Sequence, residues 1–256
     1  MAKIFCIANQ KGGVGKTTTA LNLAAALALR GKRVLFVDMD SQGNGTMGAG
    51  VDKLSLSSSN YELLCGKATF HETVMHAEGG FDVLPSNRQL SLAEVELVKA
   101  DDGELRLKRV LDTFGGAYDY VLIDCPPSLS MMTLNALCCA DGVFIPMQCE
   151  YFALEGLSDL CANIRRIHTL KNHKLKTLML LRVMFDPRMT LQQQVSEQLV
   201  THFGDKVFET IIPRNVRLAE APSYGQPGVL YDQSSKGSKA YMACADELIR
   251  RVEGRL

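Results

Sequence analysis

The stretch Gln10-Lys11-Gly12-Gly13-Val14-Gly15-Lys16-Thr17-Thr18 decides the fold of this chain. An apolar run at residues 4–8 precedes it, and residues 16–30 follow it with apolar side chains at helical spacing. A glycine-rich loop between a buried strand and a helix directs backbone N–H groups and the positive end of the helix dipole toward one point. The stretch therefore predicts a phosphate-binding loop.

Individual side chains of this loop carry specific expectations. Lys16 is placed to reach the β- and γ-phosphates, and the Thr17 hydroxyl is placed to ligate Mg²⁺. The usual pattern GxxxxGK[ST] fails at Gln10, and a second lysine, Lys11, stands inside the loop instead. The remaining nucleotide-binding positions of the loop are Gly12, Gly13, Val14, Gly15 and Thr18.

Two other nucleotide sites fit the sequence less well. A dinucleotide-binding GxGxxG loop that starts at Gly13 would need glycine at position 18, which is Thr18. A GTPase usually carries an NKxD-type loop, and the nearest match, at residues 171–174, lacks the aspartate. Adenine is therefore the favoured base.

The rest of the chain alternates short apolar runs with helical stretches, and residues 41–60 are predicted to be loop. The runs lie at 34–37, 81–84, 120–123, 143–145, 177–183 and 207–212, and the helical stretches at 88–114, with an acidic break near residues 101–103, and at 130–139, 153–170, 191–203 and 238–252. Continuous apolar strands indicate a parallel sheet that is covered on both faces. We expect an α/β, single-domain P-loop NTPase fold over residues 1–256, with a mostly parallel sheet and helices on both faces.

Composition excludes several classes of protein. Charged residues are 22% of the chain and hydrophobic residues 46%, which is ordinary for a soluble globular protein and excludes wholesale disorder. Lys plus Arg and Asp plus Glu are both 28, so an anionic partner would have to bind a local patch. The eight cysteines form no CxxC motif and are expected to be core residues in a reducing compartment. The chain shows no run of 18 apolar residues, so no membrane span is expected.

Acidic residues follow two of the predicted strands. Asp40 comes shortly after the run at 34–37, and Asp124 follows the run at 120–123. Ligands bind at the carboxyl ends of parallel strands, where Asp124 suits the role of holding Mg²⁺ or its water. A helix or turn cap is the alternative role for each carboxylate.

Longer stretches resemble one family. The loop from Lys11 to Thr18 resembles the deviant Walker A motif of the ParA/MinD ATPases. The sequences VDMDSQGN (37–44), IDCPPS (123–128), QCEYFALEGL (148–157) and IPRNVRLAEAPSYG (212–225) narrow the resemblance to ParA/Soj chromosome- and plasmid-partitioning ATPases. The match runs over about residues 3–247. Many relatives have proline where this chain has Ser41, which removes no catalytic group.

This resemblance implies an ATP-dependent sandwich homodimer with ATP and Mg²⁺ as cofactors. Lys11 would reach the partner's phosphates, and Asp40 would position the attacking water. Lys16 completes the catalytic set, Thr17, Asp40 and Asp124 are the candidate metal ligands, and Pro213, Arg214 and Asn215 would lie against adenine. A lysine supplied by the second copy would make hydrolysis depend on dimerisation.

The same resemblance implies nonspecific binding to double-stranded DNA, with Arg188 and Arg217 at family positions that contact it. Residues 165–188, called the basic segment below, carry seven basic side chains and the single acid Asp186. Such a segment suits phosphate contacts, although a solvated charged face is the alternative. A ParB-type site-binding partner protein and a cytoplasmic, nucleoid-associated location are also implied.

Two related classes compete with partitioning. A membrane-cycling MinD-like ATPase needs an amphipathic anchor, and residues 241–256 have helical apolar spacing. That stretch mixes acidic and basic side chains and holds no Trp or Phe, so we expect a helix packed on the sheet and no membrane partner. A reductase like the nitrogenase iron protein would bridge a cluster through Cys125 or Cys149, but Cys125 precedes Pro126-Pro127, as in partitioning relatives.

Overall fold

The computed structural model describes residues 2–254, which contain one eight-stranded sheet. The strands are β1 (Lys3–Ile7), β2 (Val34–Asp38), β3 (Met75–Ala77), β4 (Phe81–Leu84), β5 (Tyr120–Asp124), β6 (Gly142–Met147), β7 (Thr177–Phe185) and β8 (Val207–Pro213). Their order across the sheet is β3-β4-β2-β5-β1-β6-β7-β8. All neighbouring strands are parallel except β3 and β4. The predicted α/β fold with a mostly parallel sheet is confirmed.

Helices cover both faces of this sheet. In chain order they are α1 (Lys16–Leu29), α2 (Asn44–Gly48), α3 (Asn60–Leu64), α4 (Phe70–Thr73), α5 (Leu90–Lys99), α6 (Arg106–Phe114), α7 (Met131–Cys139), α8 (Ala153–Leu170), α9 (Thr190–Phe203), α10 (Val216–Glu220), α11 (Gly228–Tyr231) and α12 (Lys236–Glu253). Buried residues of α1, α10, α11 and α12 form one hydrophobic core. Buried residues of α3 to α9 form the other.

The strands feed both cores by alternation. In β1, Phe5 and Ile7 enter the core under α1, whereas Cys6 between them enters the opposite core. In β5, Val121 and Leu122 divide in the same way. Because both faces of every central strand are covered, the sequence of such a strand is apolar throughout. Each large side chain removed from water in this way contributes roughly 1.5–3 kcal/mol.

Two short segments differ from the sequence prediction. The stretch 41–60, predicted to be loop, contains α2 and the first residue of α3. Ser59 caps α3 through a capping box with Glu62, a local signal that glycine and serine content obscures. The edge strand β3 was not predicted, because three residues give no periodicity to detect.

The C-terminal helix packs on the sheet as expected. Tyr241, Cys244 and Leu248 of α12 are buried in the core that α1 also lines. Arg255 and Leu256 at the end of the proposed anchor stretch lie outside the described residues. Within residues 2–254, no helix has the length and apolar character that a bilayer crossing demands.

Candidate functional site

The glycine-rich loop joins β1 to α1 at the centre of the sheet. Gly13 and Gly15 have φ angles of 72° and 76°, a left-handed backbone that residues with a Cβ atom rarely adopt. Gly15 is the N-cap of α1, so the unpaired N–H groups of the first helical turn point into the loop. The structure therefore brings backbone donors and a helix N-terminus together at the carboxyl end of β1.

Lys16 lies inside this loop and is only 7% exposed. Its ammonium donates a hydrogen bond to the Lys11 carbonyl over 3.1 Å, which holds the side chain folded back across the loop. Burial lowers the pKa of Lys16, and the nearby charges of Asp124 and Asp40 partly offset that effect. A buried cation among acidic groups is suited to binding an anion delivered to the loop.

Asp124 and Asp38 end adjacent strands and are paired in the sheet register. Asp38 accepts hydrogen bonds from the Thr46 amide and the Thr46 hydroxyl, both over 2.7 Å. Neither carboxylate oxygen of Asp124 has a hydrogen-bond partner within residues 2–254. Burial and the charge of Asp38 raise the pKa of Asp124. The nearby Thr17 hydroxyl lowers this pKa in part, although its geometry is not that of a hydrogen bond.

Those two unpaired oxygens are the observation that fits a cation here. The described residues 2–254 hold no group of three or more His, Cys, Asp or Glu side chains arranged for a metal. A nucleotide-bound Mg²⁺ usually takes only one or two protein ligands, and phosphates and waters supply the rest. Thr17 and Asp124 are the residues of this site that could supply those ligands.

Asp40 stands at the turn after β2, close enough to Lys16 for their charges to interact. One of its carboxylate oxygens accepts the Gln42 amide over 2.9 Å, so the capping role weighed for this residue is present. Its backbone carbonyl accepts the Gly43 amide and the Ser86 hydroxyl, which fix the turn. At Gly43 a Cβ would lie 2.6 Å from the Ser86 carbonyl oxygen, so the turn needs glycine there.

Lys11, unlike Lys16, is exposed. Its side chain is 54% exposed and its ammonium forms an ion pair with Glu150, which is also exposed. Glu150 follows β6, and next to it the rings of Tyr151 and Phe152 pack edge to face on the surface. The sequence showed the Lys11 position, but its partner is 139 residues away and becomes visible only in the fold.

The segment Pro213, Arg214 and Asn215 lines a cavity of about 280 Å³ beside the phosphate loop. Gly15 and Thr18 form the opposite wall, so the structure joins the two predicted nucleotide-binding segments in one cavity. Asn215 also caps α10, where its side-chain oxygen accepts the Leu218 amide over 3.3 Å.

Sequence reasoning missed three residues that line or support this cavity. Met184 lines it, has a φ of 51°, and its Cε atom would lie 3.6 Å from a Cβ placed at Gly15. Val183 precedes it in β7. Tyr241 exchanges a hydrogen bond of 2.9 Å with Thr19. A positive φ at a residue other than glycine cannot be read from sequence, because a strained backbone is imposed by its surroundings.

Both candidate DNA-contacting arginines are exposed and paired with acids. Arg188 donates to Asp186 over 2.7 Å, and Arg217 donates to Glu220 over 2.9 Å. Arg188 follows β7 and Arg217 follows β8. The last residues of these two parallel strands, Phe185 and Pro213, are register partners, so both arginines lie beyond the carboxyl ends of neighbouring strands.

The prediction that the basic segment forms one local patch was wrong. The nine residues of β7 run through it and separate Lys176 from Arg188 by roughly 25–30 Å of strand. Arg182, counted in that segment, is buried and donates to the Ser196 hydroxyl and the Phe208 carbonyl. Lys171 is paired with Glu104.

The buried cysteines do not favour a bridging cluster. Cys125 and Cys149 are each 1% exposed, so neither thiol reaches a surface that a second protomer could share. Burial raises the pKa of the Cys149 thiol to about 11, which leaves it protonated at neutral pH.

Comparisons with known proteins show the family of this chain. A family model described as an AAA domain matches residues 2–177. The chain is 46% identical over 256 residues to the chromosome partitioning protein ParA of Caulobacter vibrioides, covering 99% of this chain and 96% of that protein. It is 48% identical over 249 residues to the sporulation initiation inhibitor protein Soj of Bacillus subtilis, covering 97% of this chain and 98% of that protein.

One similar solved structure holds a nucleotide. Cobyrinic acid a,c-diamide synthase from Mycobacterium smegmatis, with bound ADP and magnesium, has a TM-score of 0.87 and 36% identity, covering 100% of this chain and 97% of that chain. Its name describes a different activity, so the shared fold by itself does not assign the reaction. The full-length similarity to ParA and Soj, together with the phosphate loop and its acidic neighbours, shows that the chain belongs to the ParA/Soj family of partitioning ATPases.

Proposed function

We propose that this chain uses one ATPase domain, residues 1–256, to move DNA by cycling between two states. The ATP-bound state is a homodimer that binds duplex DNA without sequence preference, on the nucleoid in the cytoplasm. Hydrolysis, stimulated by a ParB-type partner protein, releases the DNA. The observation that carries the proposal is the convergence of buried Lys16 with Asp124, whose oxygens lack partners, beside the cavity that Asn215 lines.

Each residue of the site has a chemical role in hydrolysis. Lys16 and the loop amides bind the β- and γ-phosphates and stabilise the charge that develops on them. Thr17 and Asp124 would hold Mg²⁺, which neutralises phosphate charge when it is bound. Asp40, held by its turn next to Lys16, orients the attacking water through its carboxylate.

Lys11 supports a role for the second copy. An ion pair between two exposed side chains stabilises a protein by about 0–1 kcal/mol, so the pair with Glu150 can be exchanged for a stronger contact. A triphosphate bound in the facing protomer offers more negative charge than one carboxylate. Assembly of the dimer would thus bring a second lysine to each phosphate site.

The arginine positions support a DNA face at the carboxyl edge of β7 and β8. Arg188 and Arg217 are solvent-exposed, and their ion pairs with Asp186 and Glu220 are of the weak surface kind. DNA phosphates can replace those acids, and dimerisation doubles the number of cations presented. Four arginine contacts per dimer would give a log–log salt slope of about −4.

DNA binding by the whole protein tests the proposal. Fluorescence anisotropy would be measured with two labelled duplexes of unrelated sequence, with Mg-ATP, with Mg-ADP and without nucleotide, over a salt series. We expect binding only with Mg-ATP, equal for both duplexes and steeply weakened by salt. Nucleotide-independent binding, or a preference for one duplex, would contradict the cycle.

A further inference from the structure

A second cavity, of about 410 Å³, lies at the amino-terminal end of β7. Thr177 and Leu178, the first residues of β7, form part of its wall, whereas the nucleotide cavity contacts Val183 and Met184 near the end of the same strand. The distance along β7 between the two walls is roughly 15–20 Å. The two cavities share no lining residue, so this one is separate from the ATPase site.

Its floor is apolar and its rim is cationic. Ile164, Leu175 and Phe203 supply apolar surface, and Arg165, Lys176 and Lys206 surround it. None of the described lining residues is Asp or Glu. In the described part of the chain, these three cations form no ion pair, unlike Lys171 and Arg188 of the basic segment.

Two more observations point to a ligand. His168 lines the cavity, and its Nδ1 atom is buried with no hydrogen-bond partner among residues 2–254. Buried polar atoms normally have a partner, so this nitrogen is available to one. The Cys161 thiol, also in the lining, is close enough to Arg165 and Lys206 for both charges to oppose the rise that burial causes in its pKa. Both cations therefore lie near this thiol.

We propose that this cavity, which we call the basic-rim site, binds a small organic anion with an apolar body. The carboxylate, sulfonate or phosphate of the ligand would contact Arg165, Lys176 and Lys206, and its apolar body would cover Ile164 and Phe203. A volume of about 410 Å³ falls within the range, roughly 300–1,000 Å³, that small-molecule pockets occupy. The anionic group of the ligand thus complements the cations of the rim, and its apolar body complements the apolar floor.

Naphthalene-2-sulfonate is a suitable probe, with naphthalene-2-methanol as the uncharged analogue. Isothermal titration of the full chain should show saturable binding of the sulfonate at one site per protomer, and binding of the alcohol at least tenfold weaker. Equal affinity for both compounds, or no saturable binding, would overturn the proposal.

Matched variants separate the site from general electrostatics. Arg165→Ala/Lys206→Ala removes two rim cations, whereas Arg166→Ala/Lys174→Ala removes two exposed cations of the same region that do not line the cavity. We expect at least a tenfold loss of sulfonate affinity in the first variant and less than twofold in the second. Equal losses would show that net charge alone attracts the probe. Loss of DNA affinity with unchanged sulfonate affinity in the first variant would assign these cations to DNA instead.

Cys161 provides an independent readout. Saturating naphthalene-2-sulfonate should slow alkylation of Cys161 by a maleimide at least fivefold, as measured by peptide mass spectrometry. Cys65, which is also partly exposed but lies elsewhere, is the internal control and should react at an unchanged rate. Equal protection of both thiols would contradict binding at this cavity.

Discussion

Asp38 and Asp124 are register partners at the ends of β2 and β5, yet their carboxylates are satisfied in opposite ways. The Asp38 carboxylate accepts hydrogen bonds from the amide and the hydroxyl of Thr46. The Asp124 carboxylate has no hydrogen-bond partner within residues 2–254. One carboxylate therefore shapes the turn, and the other is kept unsatisfied at the position where a metal-bound phosphate would arrive.

Asp124→Asn should stabilise the nucleotide-free chain at pH 8 by about 1–3 kcal/mol, since it removes a buried carboxylate whose oxygens accept no hydrogen bond within residues 2–254. The pKa of Asp124 is raised in the folded state, so wild-type stability falls as pH increases from about 4 through that raised pKa. The gain should therefore shrink toward pH 4. Urea denaturation at several pH values measures it.

Asp159→Asn, an exposed aspartate on α8, is the matched control and should change stability little. Asp38→Asn should do the reverse of Asp124→Asn and destabilise, because an amide nitrogen cannot accept the bonds that Thr46 and Asp40 donate. A loss of stability in Asp124→Asn at pH 8 would contradict the picture of an unsatisfied carboxylate.

Lys16→Ala should weaken Mg-ATP binding by roughly a hundredfold, equal to about 3 kcal/mol, because it removes the one buried cation of the phosphate loop described here. Isothermal titration measures the affinity. Lys99→Ala, at an exposed lysine on α5, is the control and should bind as the wild type does. Unchanged affinity in Lys16→Ala would remove this lysine from the site.

Lys11→Ala should retain much of the ATP affinity but lose ATP-dependent dimerisation and hydrolysis, because Lys11 is exposed and lies outside the buried pocket of its own protomer. Sedimentation velocity with ATP and a phosphate-release assay measure the two losses. Glu150→Gln serves as the comparison, since it removes the ion pair but keeps the lysine. If Lys11→Ala hydrolyses ATP at the wild-type rate, the lysine does not act in the facing protomer.

Asp40→Asn should bind Mg-ATP, accumulate as the dimer and hydrolyse ATP at least a hundredfold more slowly. The amide oxygen can still accept the Gln42 N–H, so the turn is kept while the charge that orients water is lost. Asp40→Ala removes the turn contact as well and separates the two roles. Size-exclusion chromatography with ATP would show a monomer peak for Asp40→Asn if the assignment were wrong.

Arg188→Glu/Arg217→Glu should reduce DNA affinity equally for all sequences and flatten the log–log salt slope by about four contacts per dimer. Arg217 lies near the nucleotide cavity, so ATP affinity is measured alongside and should stay within about twofold. Arg165→Glu/Arg166→Glu makes the same change of charge at two exposed arginines of α8 and is the control. Full DNA binding by the Arg188/Arg217 variant would place the DNA face elsewhere.

Features that depend on neighbouring residues could be predicted from the sequence. The spacing of glycine, lysine and threonine at residues 10–18 identified the phosphate loop, since the turn and the helix start depend on neighbouring residues. The continuous apolar runs identified the parallel sheet and placed Asp124 at a strand end. The helix Ala153–Leu170 was predicted with its observed bounds, because 18 residues give a clear period.

Tertiary structure alone decided which distant groups meet. Lys11 pairs with Glu150, Asp38 lies beside Asp124, and Met184 adds a wall to the cavity beside the phosphate loop. Each of these arrangements joins residues that are far apart in the chain. The basic segment shows the same limit, because Lys176 and Arg188 are near in sequence but lie beyond opposite ends of β7. Periodicity reports the face that a residue presents within its own element, whereas the order and register of the strands set its partners in space.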